Sequence, residues 1–492
     1  MKKFLVFTIS LMSCIPFSAQ TVLTLEDCRS MALSNNKEHK MAEEEVAMAA
    51  YKKKAAFTKY LPDLSLKGAY IRNEKEMALI GENMYLPIGT VTENGFAFTQ
   101  DQINNQWTLV NGQPVPLDAN GQPFNPKTNP EKIMWKEYTT IPKDELTFDI
   151  RNIYVCALNL TQPVFMGGKI RAYNKISSIN KDLALSKLET NRQGVIVNVD
   201  ETYWQIVSLA NKKKAVEGLL HLLDKMEHDV AALNEAGMAT KSDQLSVSVK
   251  KNEAEMAMLK IENGISLSKM LLAQYCGIAQ DSVFTLADEN LESIPLSESS
   301  DSLNMETMFA NRSELQSLSY ATRIYKEKEK IVRADMLPNV ALMANYMGTN
   351  PNTWNGFENK FGFSWNVGVV VNVPLLHWGE QIHLLNAAKC ETNIANYKLD
   401  EAQEKIELQV NQCLFKQSEA KRKLKLSEKN LERAEENLRY ANIGFTEGVV
   451  PASNLLEAQT AWLTAKSSKI EAEIDAKLAE VYLQKAVGVL GK

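Results

Sequence analysis

The sequence predicts a mostly α-helical, internally duplicated protein that carries four membrane β-strands per chain beside long helical hairpins. Three observations carry that fold class. Pro163 and Gly237 recur 211 residues later as Pro374 and Gly448 with no gap, and the register runs on from Gly277 to Gly488. Proline is absent from 164 to 294 and from 375 to 450; since it costs about 3 kcal/mol inside a helix, such spans permit long uninterrupted ones. From Phe361 to Val373 the odd positions Phe361, Phe363, Trp365, Val367, Val369, Val371 and Val373 are apolar, while Gly362, Ser364, Asn366, Gly368 and Asn372 stand between them. That period of two, over roughly 9–11 residues, suits a strand crossing a bilayer at a tilt.

The elements follow in order. Residues 1–20 read as a secretory signal peptide: Met1-Lys2-Lys3, an apolar run from Phe4 to Met12, then Ser18-Ala19-Gln20 before polar Thr21. Cys14 follows Leu11-Met12-Ser13, a poor lipobox, so the layout sets cleavage near residue 19 or 20. The first repeat, 21–301, opens with a helix from Thr24 to Tyr60. Leu61-Pro62-Asp63 then introduces a strand at about 64–72, and a return strand covers about 152–162. The segment between them, about 73–151, is rich in Asn, Gly, Pro and Gln and reads as an irregular external loop. A helical hairpin spans 166–276, its first arm from Met166 to Ala236 being about 105 Å long at 1.5 Å per residue. A linker, 277–301, leads to the second repeat, 302–492. That repeat has a helix from Ser302 to Met336, strands at about 339–347 and 361–373, and a hairpin at 377–490. The short helices, 24–60 with 241–276 and 302–336 with 452–490, pair end to end to about the length of one long helix. Each long helix therefore has two short ones beside it, packed through stripes of Leu, Ile, Val and Ala.

Composition excludes several function classes. The formal net charge is −5 and the charges are interspersed, unlike a nucleic-acid surface. Beyond the signal the cysteines are Cys28, Cys156, Cys276, Cys390 and Cys413, an odd set without CxxC spacing, which suggests neither a disulfide framework nor a zinc site. The histidine pairs His221/His228 and His377/His383 miss the spacing that puts two metal ligands on one turn. No GxxxxGK[ST], GxSxG or HExxH occurs, so nucleotide-driven transport and the common hydrolases lack their residues, and neither a cofactor nor a metal is expected.

Four strands cannot close in lipid. An open edge leaves unpaired backbone groups at several kcal/mol each, and outer-membrane barrels have 8 strands or more, so other copies must complete this one. Ser364 and Asn366, small and polar, suit the face turned to a water-filled lumen. At the far ends of the hairpins, Gly237 and Gly448 sit where a helix reverses and positive φ is needed. Met238, Val449 and Val450 then become exposed apolar side chains, suited to a partner or to packing between tips.

In this order the features resemble the TolC-like outer-membrane efflux factor (outer membrane efflux protein) family over nearly the whole mature chain. The residues that carry the resemblance are Leu23-Thr24-Leu25-Glu26-Asp27-Cys28-Arg29-Ser30-Met31-Ala32-Leu33-Ser34-Asn35-Asn36, the twin Leu-Pro-Asp/Asn signals, and Gln162-Pro163-Val164-Phe165-Met166-Gly167-Gly168-Lys169. The tip running from Tyr440 through Gly448 to Ala458 is the most specific. The resemblance implies a homotrimer with a 12-stranded barrel in the outer membrane and a helical tunnel through the periplasm. It also implies tips, at Gly237, Met238, Gly448, Val449 and Val450, that meet a periplasmic adaptor (membrane fusion) protein of an inner-membrane transporter. By the same resemblance Asp243, its repeat equivalent Asn454, and Glu457 one turn further on are candidates for a ring at the periplasmic gate. A first-turn Asp also complements the dipole of its own helix, and Asn454 departs from an acidic pattern.

Function then reads as a passive exit duct of a tripartite efflux or type I secretion system. The alternative is a non-transporting trimeric stalk or adhesion protein with the 73–151 loop as its head. The polar register of Ser364, Asn366 and Gly368 favours the duct.

Overall fold

The 211-residue repeat survives in three dimensions as helices of identical length. The structure, a computed structural model, describes residues 21–491 except 88–89, 93–94, 98–106, 119, 126, 130–137, 292 and 295–304. The signal segment and Cys14 lie outside the described residues.

From the N-terminus come β1 (Thr21–Leu23), α1 (Leu25–Asn35), α2 (Lys37–Phe57) and β2 (Asp63–Arg72). Short strands follow: β3 (Met77–Ala78), β4 (Met84–Pro87), β5 (Thr90–Thr92), β6 (Gly95–Ala97), β7 (Trp107–Val110), β8 (Gln113–Pro116), β9 (Tyr138–Ile141) and β10 (Thr147–Phe148). Then come β11 (Asn152–Met166), α3 (Lys169–Glu235), α4 (Lys241–Cys276) and β12 (Phe284–Leu286). The second copy contributes α5 (Met305–Asn311), α6 (Ser313–Ala334), β13 (Asn339–Asn350), β14 (Gly362–Asn372), α7 (Glu380–Thr446) and α8 (Ala452–Val487).

Two compact units result: Thr58–Gly167 with Leu337–Leu375, and the remaining helical segments. In the helical unit α3 and α7 each run 67 residues, about 100 Å, and α4 and α8 each run 36. Gly168 and Gly379, at φ 88° and 83°, cap the starts of α3 and α7. Helix α3 packs against α2, α4, α6 and α8, whereas α7 packs against α6 and α8. The repeat-equivalent pairs Val195/Val199 and Ile406/Val410 anchor two matching clusters, one with α1, α4 and β12 and the other with α5, α6 and α8.

The expected continuous helices at 24–60 and 302–336 each break once, at Asn36 and at Arg312. Asn36 turns out of the helix (ψ 128°), and its Oδ1 accepts from the N–H of Glu38 (2.8 Å) and His39 (3.1 Å), capping α2. Buried Arg312 instead donates to the C-terminal carbonyls of Lys485 (3.2 Å) and Ala486 (2.9 Å) on α8. Asn35 Nδ2 makes the matching bond in the first copy, to the carbonyl of Cys276 at 3.2 Å. The linker also holds structure: β12 pairs in parallel with β1.

In the other unit the main sheet has the order β14-β13-β11-β2, all antiparallel, so β14 and β2 are its edges. Strand β11 outruns the expected end at 162, passing Pro163 with a register shift before Phe165 and stopping at Met166. A bulge tolerates a residue that has no N–H to donate. The 73–151 segment, expected to be irregular, contains antiparallel pairs β3–β10, β4–β9, β5–β6 and β7–β8. The last of these turns on Asn111-Gly112, both at positive φ (54° and 75°), the type I′ hairpin that an Asn-Gly step favours.

Candidate functional site

The two hairpin tips are built alike. After α3, the Met238 N–H reaches back to the Leu233 carbonyl (2.8 Å) and Gly237 to that of Asn234 (3.0 Å). After α7, Val449 reaches the Gly444 carbonyl (2.8 Å) and Gly448 that of Phe445 (3.1 Å). These paired bonds satisfy the last free carbonyls of each helix and require a left-handed residue, which Gly237 (φ 75°) and Gly448 (φ 70°) supply. A Cβ at either glycine would meet open space, so backbone conformation and not room dictates the residue.

Met238 and Val449 occupy equivalent places and are 77% and 80% exposed. Val450, expected to be exposed with them, is half-buried, and the reason is Gly444. A Cβ at Gly444 would lie 2.1 Å from Val450 Cγ2, so the missing side chain is the seat of the valine. In the other tip the equivalent pair is Leu233 and Ala239, with the large and small residues exchanged. Sequence reasoning passed over Gly444, although a glycine in the last turn of a helix costs about 1 kcal/mol relative to Ala and so asks for a packing reason. Behind the tips, Leu219, Leu223, Met226, Val230, Val247 and Ala254 form one cluster with Ala452, Leu455 and Leu456, so the hairpins of both copies share a core.

The three gate candidates are not equivalent. Asp243 closes a capping box on Thr240: its Oδ2 accepts from the Thr240 N–H (2.9 Å) and hydroxyl (2.7 Å), while its own N–H donates to Thr240 Oγ1 (3.1 Å). The Thr240 hydroxyl, followed by its backbone N–H, holds the Asp243 carboxyl below the usual carboxylate range. The Thr-x-x-Asp signature was present in the sequence. In the second copy Pro451 stands in the Thr240 place and offers neither hydroxyl nor N–H, so Asn454 has no box to close and is exposed. Glu457 is exposed on the same face of α8 and, among the described residues, has no hydrogen-bond or ion-pair partner. No hydrogen bond or ion pair among the described residues joins Asp243 to Asn454 or Glu457 within one chain.

On the sheet, Ser364 and Asn366 lie on the face opposite Trp365, with Asn366 exposed and Ser364 half-buried. Register makes that face more specific. Asn366 pairs with Asn345, Asn345 with Asn159, and Asn159 with Ser65, so one polar row crosses all four strands. Asn345 Nδ2 donates to Asn366 Oδ1 at 2.9 Å. Asn345, Asn159 and Ser65 were not singled out from the sequence, because cross-strand register is not written in any one strand. The other face carries Leu64, Leu66, Leu158, Leu160, Val367, Val369 and Trp365, the last 72% exposed. At its loop end a chain of rings joins all four strands: Tyr70 to Tyr154 (5.0 Å), Tyr154 to Phe361 (6.4 Å), Phe361 to Phe363 (6.3 Å), and Phe363 to Tyr346 (5.7 Å). Such a belt is the interfacial arrangement of aromatic residues in membrane proteins.

Among the described residues no group of side chains is arranged to hold a metal, and no helix is long and apolar enough to cross a membrane. Residues 305–489 match the model of a family described as outer membrane efflux protein. The fold extends the likeness to almost the whole chain. The Campylobacter jejuni CmeC outer membrane channel is 15% identical over 94% of this chain and 85% of its own, with a TM-score of 0.70. The Vibrio cholerae outer membrane protein VceC is 14% identical, covering 94% and 96%, at 0.68. The Neisseria gonorrhoeae MtrE outer membrane channel, described in its open state, is 13% identical, covering 94% and 89%, at 0.68. No curated protein matches the sequence. Family and fold together support an outer-membrane efflux channel.

Proposed function

We propose that this protein is the outer-membrane exit duct of a tripartite efflux or type I secretion system, conducting substrates passively from an inner-membrane transporter to the exterior. The observation that carries the reading is the two-faced sheet: one face apolar with an aromatic belt, the other crossed by a polar row, and both edges, β2 and β14, unpaired. Unpaired edges in lipid are costly, and three copies join β14 of one protomer to β2 of the next, antiparallel throughout, to give 12 strands.

The helical unit supports the same assembly. Tyr397, Leu408, Phe415 and Leu426 on α7 are exposed at spacings of 11, 7 and 11 residues. On α4, Leu245, Met256 and Leu267 are exposed at spacings of 11. Such spacings keep side chains on one face of a long helix, the pattern of a coiled-coil seam awaiting its partner. The tips, with Met238 and Val449 outward, serve as contacts for a periplasmic adaptor, and the carboxylates of Glu457 collect around the three-fold axis of the entrance.

Protein extracted from outer membranes in detergent, measured by light scattering, electron microscopy and planar-bilayer recording, tests the reading. A hollow, conducting trimer is expected. A monomer, or a solid trimer that passes no current, overturns it.

A further inference from the structure

Cys28 on α1 and Cys276, the last residue of α4, are both 0% exposed and belong to one cluster with Tyr203, Trp204 and Leu272. They are 248 residues apart in sequence, yet the Cys276 thiol donates to the carbonyl oxygen of Cys28 at 3.6 Å. The surrounding backbone is fixed. Asn35 binds the Cys276 carbonyl, and Gly277, at φ 70°, approaches Asn35 so closely that a Cβ there would lie 2.4 Å from the Asn35 Cβ. Of the other cysteines, Cys156 and Cys390 are exposed and Cys413 is half-buried in a different cluster. The duplication adds an independent observation. At the repeat positions of Cys28 and Cys276 the second copy has Asn304 and Val487, so the two cysteines occur together in one copy and are absent together from the other.

We propose that Cys28 and Cys276 are joined by a disulfide in the mature protein, stapling α1 to the end of α4. This rests on the exported, outer-membrane reading above, because an oxidising compartment is what lets such a bond form and persist. The Cys276 side chain and, after it, burial push the Cys28 thiol up; both sulfurs are out of reach of reagents once packed, so the bond closes while the cluster is still open. The oxidant is a disulfide of an exported thiol oxidase. One cysteine thiolate attacks a sulfur of that disulfide, forming a mixed disulfide and releasing one oxidase thiolate. The second cysteine thiolate attacks the chain's own sulfur in the mixed disulfide, closing Cys28–Cys276 and releasing the other oxidase sulfur. Two electrons pass to the oxidase and the two thiol protons leave with them. Once α1 docks, the bond is shielded from reductants.

Full-length protein from outer-membrane fractions, acid-quenched, denatured and treated with N-ethylmaleimide without reductant, tests this by peptide mass spectrometry. Expected are one linked peptide pair containing Cys28 and Cys276, and alkylation confined to Cys156, Cys390 and Cys413. Alkylation of all five overturns the proposal. The Cys28→Ser, Cys276→Ser double variant is expected to show a thermal midpoint insensitive to reductant, where the natural chain shows a loss. The fraction in which the chain is found reads the export reading separately. Should it not reach the envelope, refolding from denaturant in a glutathione redox buffer decides the pair alone: linkage supports the staple, and two free thiols overturn it.

Discussion

Gly444 and Val450 trade volume with Leu233 and Ala239, and that exchange shows how a duplicated turn can be repacked without changing its backbone. Filling Gly444 with leucine sets it against Val450, an overpacking of roughly 1–3 kcal/mol. Adding Val450→Ala recreates the pairing of the first tip, so Gly444→Leu alone is expected to raise amide exchange in the α7–α8 turn and the double variant to restore protection. Equal exchange in both variants would remove the volume argument. Asp243 supports a prediction with a sign. Its folded pKa is depressed by Thr240, so its contribution is full above the unfolded value near 3.8 and is lost as pH falls through the lower folded one. Protection of the first turn of α4 should therefore be flat from pH 7 to about 5 and fall only below about pH 4. A carboxylate crowded by its symmetry mates would instead have a raised pKa, so protonation would relieve the repulsion and protection would rise as the pH falls; the sign of the change on acidification separates a capping residue from a member of a charged ring. Glu457, free of any cap, is the side chain whose replacement by Gln should lower cation preference in bilayer recordings; unchanged selectivity excludes it from the entrance.

At the scale of elements, much was legible because local rules and global fold agree. The absence of proline marks the long helices, the glycines mark their reversals, and period-two alternation marks β14 down to its aromatic end. Less legible were features that depend on a partner in space. The breaks at Asn36 and Arg312 follow from bonds to distant or downstream groups: Arg312 reaches α8, some 170 residues away. The bidentate pair of Arg29 with fully buried Asp200, at 2.7 and 2.6 Å, ties α1 to the middle of α3 and cannot be read from either sequence. Removing only one partner leaves a buried charge, so Arg29→Met should cost about 3–5 kcal/mol, and the additional Asp200→Leu change should recover much of it in a thermal unfolding comparison. At the tips the reversals at Gly237 and Gly448 were legible but the burial of Val450 was not, and in the sheet Ser364 and Asn366 gave the face but not the row that Asn345, Asn159 and Ser65 complete.

For the molecule as a whole, the uneven burial of the two long helices is the informative quantity. Helix α3 has neighbours on several sides, whereas α7 leaves Phe415 78% exposed, bordering with Leu426 a groove of about 800 Å³. A large apolar side chain kept in water forgoes roughly 1.5–3 kcal/mol relative to burial, and a seam of them repeated at 7 and 11 residues is not expected on a helix that stays unpartnered. If α7 of one protomer meets the exposed α4 stripe of the next, a trimer buries three Phe415 side chains, one per seam, and Phe415→Glu replaces that gain with a desolvated charge at all three seams. The variant should therefore fall from trimer to smaller species in detergent by light scattering. Its far-ultraviolet circular dichroism should stay unchanged, because within one protomer Phe415 already faces solvent. A companion change off the seam, Lys421→Glu, which is exposed and about 120° round the same helix from Phe415, should leave the trimer intact. Were both variants to dissociate equally, net charge and not the apolar seam would be holding the protomers together; were neither to do so, the contacts between copies would have to reside in the sheet edges β2 and β14 alone.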